Sequence, residues 1–187
     1  PLRFGDHIWV VPSWRTEFVP PAGAIVLTLD PGMAFGTGQH ATTALCLEIL
    51  EQQLGRPAVA GSPLSVADIG CGSGVLAIAA AKLGAHRVVA VDNDAIAVRV
   101  TAENCAANAV ASIVHTSETP AGQLGERFDW VLANILAVTL IELADELVAL
   151  LAPKGQLVLS GVLATQQLDV ENAMRAAAGR QGRSTFV

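Results

Sequence analysis

Between Val66 and Gly74 the chain reads VADIGCGSG, a short apolar run that breaks into three alternate glycines and passes without a linker into an alanine-rich stretch. Glycine at Gly70, Gly72 and Gly74 lets the backbone turn sharply and lets another molecule approach where a Cβ would block it. A strand, a tight turn and a helix start make the opening of a βα unit, and that unit recurs along the rest of the chain. The pattern predicts a strand over 64–69, a helix over 75–83 closed by Gly84, a strand over 87–91 and a helix over 94–107, with Asp94 as N-cap and Asn108 as stop. Further strands are expected over 112–115, 129–133 and 156–160. A helix over 139–151 should open with the capping box Thr139-x-x-Glu142, and another helix is expected over 165–178. Phe186 and Val187 read as the start of one more strand.

Strands separated by helices of about ten to fifteen residues cannot pair as hairpins, so the sheet must be mostly parallel, with helices on both faces. The expected class is therefore a doubly wound, Rossmann-like α/β fold. In such sheets ligands collect beyond the carboxyl ends of the strands, where the winding direction reverses. Ahead of this region lie two β-like runs, 7–11 and 24–29, separated by a proline- and tryptophan-containing stretch. Residues 30–38 hold one proline and three glycines, which makes them a shaped loop. A helix over 42–54 follows, with Leu45, Ile49, Leu50 and Leu54 as its apolar positions and Gly55 as its stop.

At 187 residues the chain fits a single domain, able to bury roughly 70% of its unfolded surface. Apolar residues make up 52% of it, yet no uninterrupted apolar run approaches the ~18 residues of a bilayer span. Seventeen acidic residues against eleven basic ones give a formal charge of −6, which argues against general nucleic-acid binding through a basic surface. Cys46, Cys71 and Cys105 are too few and too far apart for a disulfide framework or a metal cluster, and a reducing cytoplasm is the simplest setting. No secretory leader pattern is present, and a start at proline rather than methionine suggests a cut or processed product.

The motifs that carry chemistry all fall at strand ends. The helix after the glycine turn offers free N–H groups and a positive dipole end, although a GxGxG string also occurs as a βα turn with no ligand. Asp92 ends the second strand of the βαβ unit, where a carboxylate can accept hydrogen bonds from both hydroxyls of a ribose; its plainer role would be to help cap the next helix. Nicotinamide and S-adenosylmethionine cofactors both satisfy these two features. Dinucleotide folds usually show GxGxxG, whereas position 75 here is valine, which favours a cofactor without a diphosphate. Asn134, in Asn134-Ile135-Leu136-Ala137, can accept a hydrogen bond from an amine and aim its lone pair, or can serve simply as a strand-end turn residue. The loop containing Phe35, Gly36, Gly38 and His40 can cover a bound ligand, and Thr43 adds a hydroxyl in the following helical turn. His40 is the one group of that loop that titrates near neutrality, which makes it a candidate catalytic residue beside Asn134.

Taken in order, Phe4-Gly5, WVVPSW from Trp9 to Trp14, LDPGMAFGTGQHATTALCLEIL, DIGCGSGVLAIAAAKLGA, VDND, ANILA and LSGVL resemble the class I S-adenosylmethionine-dependent methyltransferases. Among these they resemble the PrmA family, whose members methylate a protein of the large ribosomal subunit, L11. The resemblance implies S-adenosylmethionine as cofactor, contacted at Thr43, Gly70, Asp92 and Asn134, with Phe35, Gly36, Gly38 and His40 in the loop over the active site. It also implies N-methylation of amino groups on a large-subunit ribosomal protein in the cytoplasm, with no membrane or direct nucleic-acid partner. Gln39 and Ala41 stand where the family commonly has threonine and proline, and neither change removes a group that methyl transfer requires. The family's small N-terminal recognition domain is expected to lie outside this chain, so that the chain binds cofactor better than it methylates. Its final strand is expected to be missing as well. Other readings are a methyltransferase for another protein lysine, a small amine or RNA; a nucleotide-binding module without catalysis; and an NAD-dependent oxidoreductase.

Overall fold

The computed structural model of the chain describes residues 1–30, 41–54 and 63–183. A three-stranded sheet comes first, with β1 (Leu2–Phe4) antiparallel to β2 (Ile8–Val11) and β2 parallel to β3 (Ile25–Thr28). β1 is a strand that sequence pattern did not reveal; three residues are too few to show an alternation. Helix α1 (Ala41–Leu54) follows. Its buried residues are Thr43, Cys46, Leu47, Leu50 and Leu54, whereas Leu45 and Ile49 are exposed, so the expected apolar face was turned by about one residue.

The larger sheet has five strands: β4 (Ser65–Ile69), β5 (Arg87–Val91), β6 (Val114–Ser117), β7 (Phe128–Asn134) and β8 (Leu151–Ser160). Their spatial order is β6-β5-β4-β7-β8 and every neighbouring pair is parallel. From β4 the chain winds outward through β5 to β6, then returns to place β7 on the other side of β4. The winding direction therefore reverses between β4 and β7, the position at whose carboxyl ends open α/β sheets bind their ligands.

Side-chain alternation along these strands builds two separate cores. Val66, Val88, Ala90 and Leu132 join one core with α1, α2 (Val75–Lys82) and the first sheet. Ala67, Ile69, Val89, Val91, Val131 and Ala133 join the other, with α4 (Ala137–Glu142), α5 (Ala144–Ala149) and α6 (Gln167–Arg180). Apolar side chains on both faces of each strand are what a sheet covered on both sides requires.

Helix α3 (Ala95–Ala107) begins as expected, with the Asp94 carboxylate accepting from the Ile96 N–H at 2.8 Å. It stops at Asn108, but the left-handed residue that turns the chain is Ala109 (φ 59°), and Gly84 (φ 106°) ends α2 in the same way. The expected single helix over 139–151 is replaced by α4 and α5, which meet at Leu143. Leu136 occupies the N-cap of α4 with no side-chain cap bond, so the capping box at Thr139 does not form. Burial decides the register: Ala137, Leu140, Ala144, Leu147 and Val148 face the core at helical spacing, and that face begins two residues before Thr139. Leu151 already belongs to β8, which pairs with Phe128, bulges, and pairs again from Gln156. Gly55, most of the loop through Gly38, and Phe186 with Val187 lie outside the described residues.

Candidate functional site

The site is assembled where β4, β5 and β7 end. Gly70 follows β4 at φ 75°, and its N–H and that of Cys71 both donate to the carbonyl of Val91 at the end of β5, at 2.8 and 3.0 Å. The turn is thereby pinned to the neighbouring strand. Gly72 (φ 55°) then donates its N–H to Asp92 Oδ2 at 3.0 Å, while Asp92 Oδ1 accepts from the Asp94 N–H at 3.0 Å. Asp92 and the glycine turn, expected to meet across neighbouring strand tips, are in direct contact. Capping of α3 falls to Asp94, and Asp92 keeps one acceptor site on each oxygen beyond those two backbone bonds.

Glycine is required at both ends of this turn. At Gly70 a Cβ would lie 2.3 Å from Ile135 Cγ2, and at Gly74 (φ 78°) it would lie 2.7 Å from Thr101 Cγ2. Ile135 also closes against Gly161 (φ 83°), where a Cβ would come within 2.4 Å of the Ile135 carbonyl oxygen. Three strand ends thus converge on one isoleucine, which sets Asn134 beside the glycine turn. The Asn134 Nδ2 donates to Thr43 Oγ1 at 3.1 Å, and Thr43 is fully buried in the first turn of α1. That bond fixes the amide plane and turns its carbonyl end away from Thr43. Ser160 Oγ donates to the Thr42 carbonyl at 3.1 Å, tying the start of α1 to the end of β8.

Behind the turn sits Asp68, 1% exposed, whose Oδ2 accepts from the Ala77 N–H at 3.0 Å. Burial pushes its carboxyl up to about 7; the Ala77 hydrogen bond opposes that rise and the nearby Asp92 adds to it. A carboxylate in a strand otherwise reading VAxI is the sequence signal for Asp68. Also unread from the sequence were Thr101, Asn104 and Asn108 on α3, which bond to the backbone of the turn and of β3. Cys46, Cys71 and Cys105 are free and buried, and burial raises their thiols to about 11, 12 and 11. No helix among the described residues is long and apolar enough to cross a membrane.

Thr43, Gly70, Gly72, Gly74, Asp92 and Asn134 are brought to one end of the sheet; Phe35, Gly36, Gly38 and His40 lie outside the described residues. A groove of about 430 Å³ between β8 and α6, lined by residues such as Leu157, Leu159 and Met174, shares no residue with this site. The site's residues can bind a ribose through Asp92, accept an anionic group near the turn, and orient a nitrogen through Asn134.

Residues 1–181 match the family model described as ribosomal protein L11 methyltransferase (PrmA). A ribosomal protein L11 methyltransferase of Trichlorobacter lovleyi is 49% identical over 172 residues, covering 92% of this chain and 56% of its own length. One of Geobacter sulfurreducens is 50% identical over 167 residues, covering 89% of this chain and 52% of its own length. The chain spans about half the length of the curated relatives it matches. Among solved structures, a ribosomal protein L11 methylase of Lactobacillus delbrueckii subsp. bulgaricus superposes with a TM-score of 0.83 at 35% identity, covering 95% of this chain and 88% of that one. A SAM-dependent methyltransferase of Agrobacterium tumefaciens shares the fold at a TM-score of 0.62 and 20% identity, over 75% of this chain and 51% of that one.

Proposed function

The chain belongs to the PrmA family of ribosomal protein L11 methyltransferases, and from that premise we propose that it is the cofactor-binding and methyl-transferring domain of an enzyme that methylates amino groups of ribosomal protein L11 in the cytoplasm. The observation that carries this reading is the contact between Gly72 and Asp92 across the ends of β4 and β5, with Asn134 at the end of β7 on the other side of β4, where the winding reverses. The donor set fits a nucleoside cofactor. Asp92 retains acceptor capacity for ribose hydroxyls, and glycine at Gly70 and Gly74 lets the turn pack against Ile135 and Thr101 in the left-handed conformation that holds Gly72 on Asp92. Val75, 3% exposed and packed in the core, stands where a dinucleotide fingerprint has its third glycine, which supports S-adenosylmethionine over NAD.

When bound, S-adenosylmethionine supplies a methyl group made electrophilic by its charged sulfur. Asp92 and the Gly70–Gly74 turn hold the nucleoside. Thr43 fixes the Asn134 amide so that its oxygen can accept an N–H of the incoming amine and point the nitrogen lone pair along the line of displacement. A lysine amine of reference pKa near 10.4 must lose a proton first, at a cost of about 4–5 kcal/mol at neutral pH. Burial in the cleft lowers that cost, and proton loss to water suffices, so no residue is assigned as base. His40 stays a candidate for the loop over the site.

Transfer of radiolabel from S-adenosylmethionine to purified ribosomal protein L11 tests the reading. The expected result is labelled L11 with the native protein and about a hundredfold lower rate with Asn134→Ala, the scale on which a positioned polar group acts. Label that goes instead to RNA or to a small amine would contradict it.

A further inference from the structure

Thr101 and Asn104 of helix α3 and Asn108 at its C-cap follow one another at spacings of three and four residues, along one side. Each side chain is committed to the backbone of another element. Thr101 Oγ1 donates to the Gly72 carbonyl at 3.0 Å and Asn104 Nδ2 to the Ser73 carbonyl at 2.8 Å. Asn108 closes on Thr28 from both sides, accepting from its N–H and donating to its carbonyl, each at 2.8 Å, and it also donates to the Asn104 carbonyl at 2.8 Å. Thr101 and Asn108 are buried, where a polar group is tolerated only if bonded. The Gly72 peptides are therefore held from two directions, the N–H by Asp92 and the carbonyl by Thr101, while Gly74 lies against the Thr101 methyl.

We propose that the Thr101–Asn104–Asn108 stripe is a positioning element for the cofactor turn: it sets the Gly72 and Ser73 peptides so that the Gly72 N–H meets Asp92, and it ties that arrangement through α3 to β3. This inference rests on the reading that the turn and Asp92 hold S-adenosylmethionine. Asn108 adds a link that no turn residue makes. Its bond to Thr28 joins α3 to the strand that, two residues later, reaches Asp30, whose carboxylate accepts from the Ser13 N–H at 2.6 Å and from the Ser13 hydroxyl at 2.7 Å. Without the Thr101 hydroxyl the Gly72 carbonyl loses its donor and the turn spends part of its time in other arrangements. Apparent affinity falls by the fraction of time the competent one is lost.

Calorimetric titration of S-adenosylmethionine into wild type, Thr101→Val and Thr101→Ser, with melting temperatures recorded for each, tests the proposal. Thr101→Val, which keeps the shape and removes the hydroxyl, is expected to bind about tenfold more weakly, and Thr101→Ser, which restores it, to bind within about threefold of wild type. Equal affinity of Thr101→Val and wild type would overturn the inference. So would Thr101→Ser as weak as Thr101→Val, which would move the effect to the methyl against Gly74. Should Thr101→Val fail to fold, Asn104→Ala carries the test: about threefold weaker binding supports the proposal and unchanged binding overturns it. A wild-type protein that does not bind S-adenosylmethionine would sink the reading of the site itself, whereas binding by wild type with no loss in the variants would sink the positioning role alone.

Discussion

Two turns in this chain are built alike, each a glycine at positive φ with a carboxylate accepting backbone N–H groups. At the N-terminal sheet Gly5 (φ 55°) leads into Asp6 and His7, whose N–H groups donate to Glu51 Oε2 and Oε1 at 2.7 and 2.5 Å. The His7 ring adds a third contact to Oε1 at 3.2 Å. At the end of β4 the Gly72 N–H donates to Asp92, with Asp94 on the other oxygen. Glu51 gives three acceptor positions to the turn it closes and pins β1 and β2 to α1. Asp92 gives one acceptor position on each oxygen to backbone and stands at the end of β5, beside the strand β4 from which the winding reverses. On the proposed function, a carboxylate-held turn is a clasp in one place and a ligand cradle in the other, and position in the sheet decides which.

The largest contrast is expected from alanine at the two glycines. Gly70→Ala should lower unfolding free energy by about 3 kcal/mol in urea titrations, from left-handed backbone strain plus overlap with the β-branched Ile135 side chain, whose backbone is held close against Gly161. Gly5→Ala should cost only about 1–2 kcal/mol, since the Glu51 carboxylate in its way can swing aside. Equal losses would erase the distinction between clasp and cradle. Next, Asp92→Ala should weaken S-adenosylmethionine binding by about tenfold or more, since hydrogen bonds to charged groups contribute roughly 1.5–3 kcal/mol, while leaving Glu51 and its turn intact.

Asp68 gives a pH test of the cradle. Its carboxyl is raised by burial from 3.8 to about 7 in the folded protein, so the native state holds that proton more tightly than the unfolded chain. Its stabilising contribution is complete below about pH 4 and is lost as pH rises toward 7, with a slope of at most about 1.4 kcal/mol per pH unit. Urea titrations from pH 4 to pH 8 should therefore show a fall in stability that Asp68→Asn flattens; identical profiles would remove Asp68 as its source. The smallest effect is expected at the clasp. Glu51→Gln should cost about 1 kcal/mol of stability and leave S-adenosylmethionine affinity within about twofold. A large loss of affinity there would mean that the N-terminal sheet takes part in cofactor binding.

The contact between the glycine turn and Asp92 was legible in the sequence because its parts are local. Three alternate glycines after a buried strand, and an aspartate at the end of the next strand, are adjacent by βαβ geometry alone. The N-cap at Asp94 is local too, and it forms as expected. What could not be read depends on partners far along the chain. Asn108 meets Thr28 across 80 positions, and Thr101 meets Gly72 across 29. No spacing within α3 reveals that its polar stripe faces inward rather than to solvent. The helices over 137–149 were misplaced for a related reason: a capping-box pattern at Thr139 promises at most about 1 kcal/mol, whereas burial of Ala137, Leu140, Leu147 and Val148 outweighs it. In α1 two of the four expected apolar positions, Leu50 and Leu54, are buried, whereas Leu45 and Ile49 are exposed, because the side of the helix that supplies Thr43 to Asn134 is the one that packs inward.

A crystal structure with bound S-adenosylhomocysteine tests the cradle most directly. The expected result is a nucleoside at the reversal point of the sheet, with its ribose hydroxyls within hydrogen-bond reach of Asp92 and its chain along the Gly70–Gly74 turn. A nucleoside lodged elsewhere, such as the groove between β8 and α6, with Asp92 making no contact to it, would contradict the assignment.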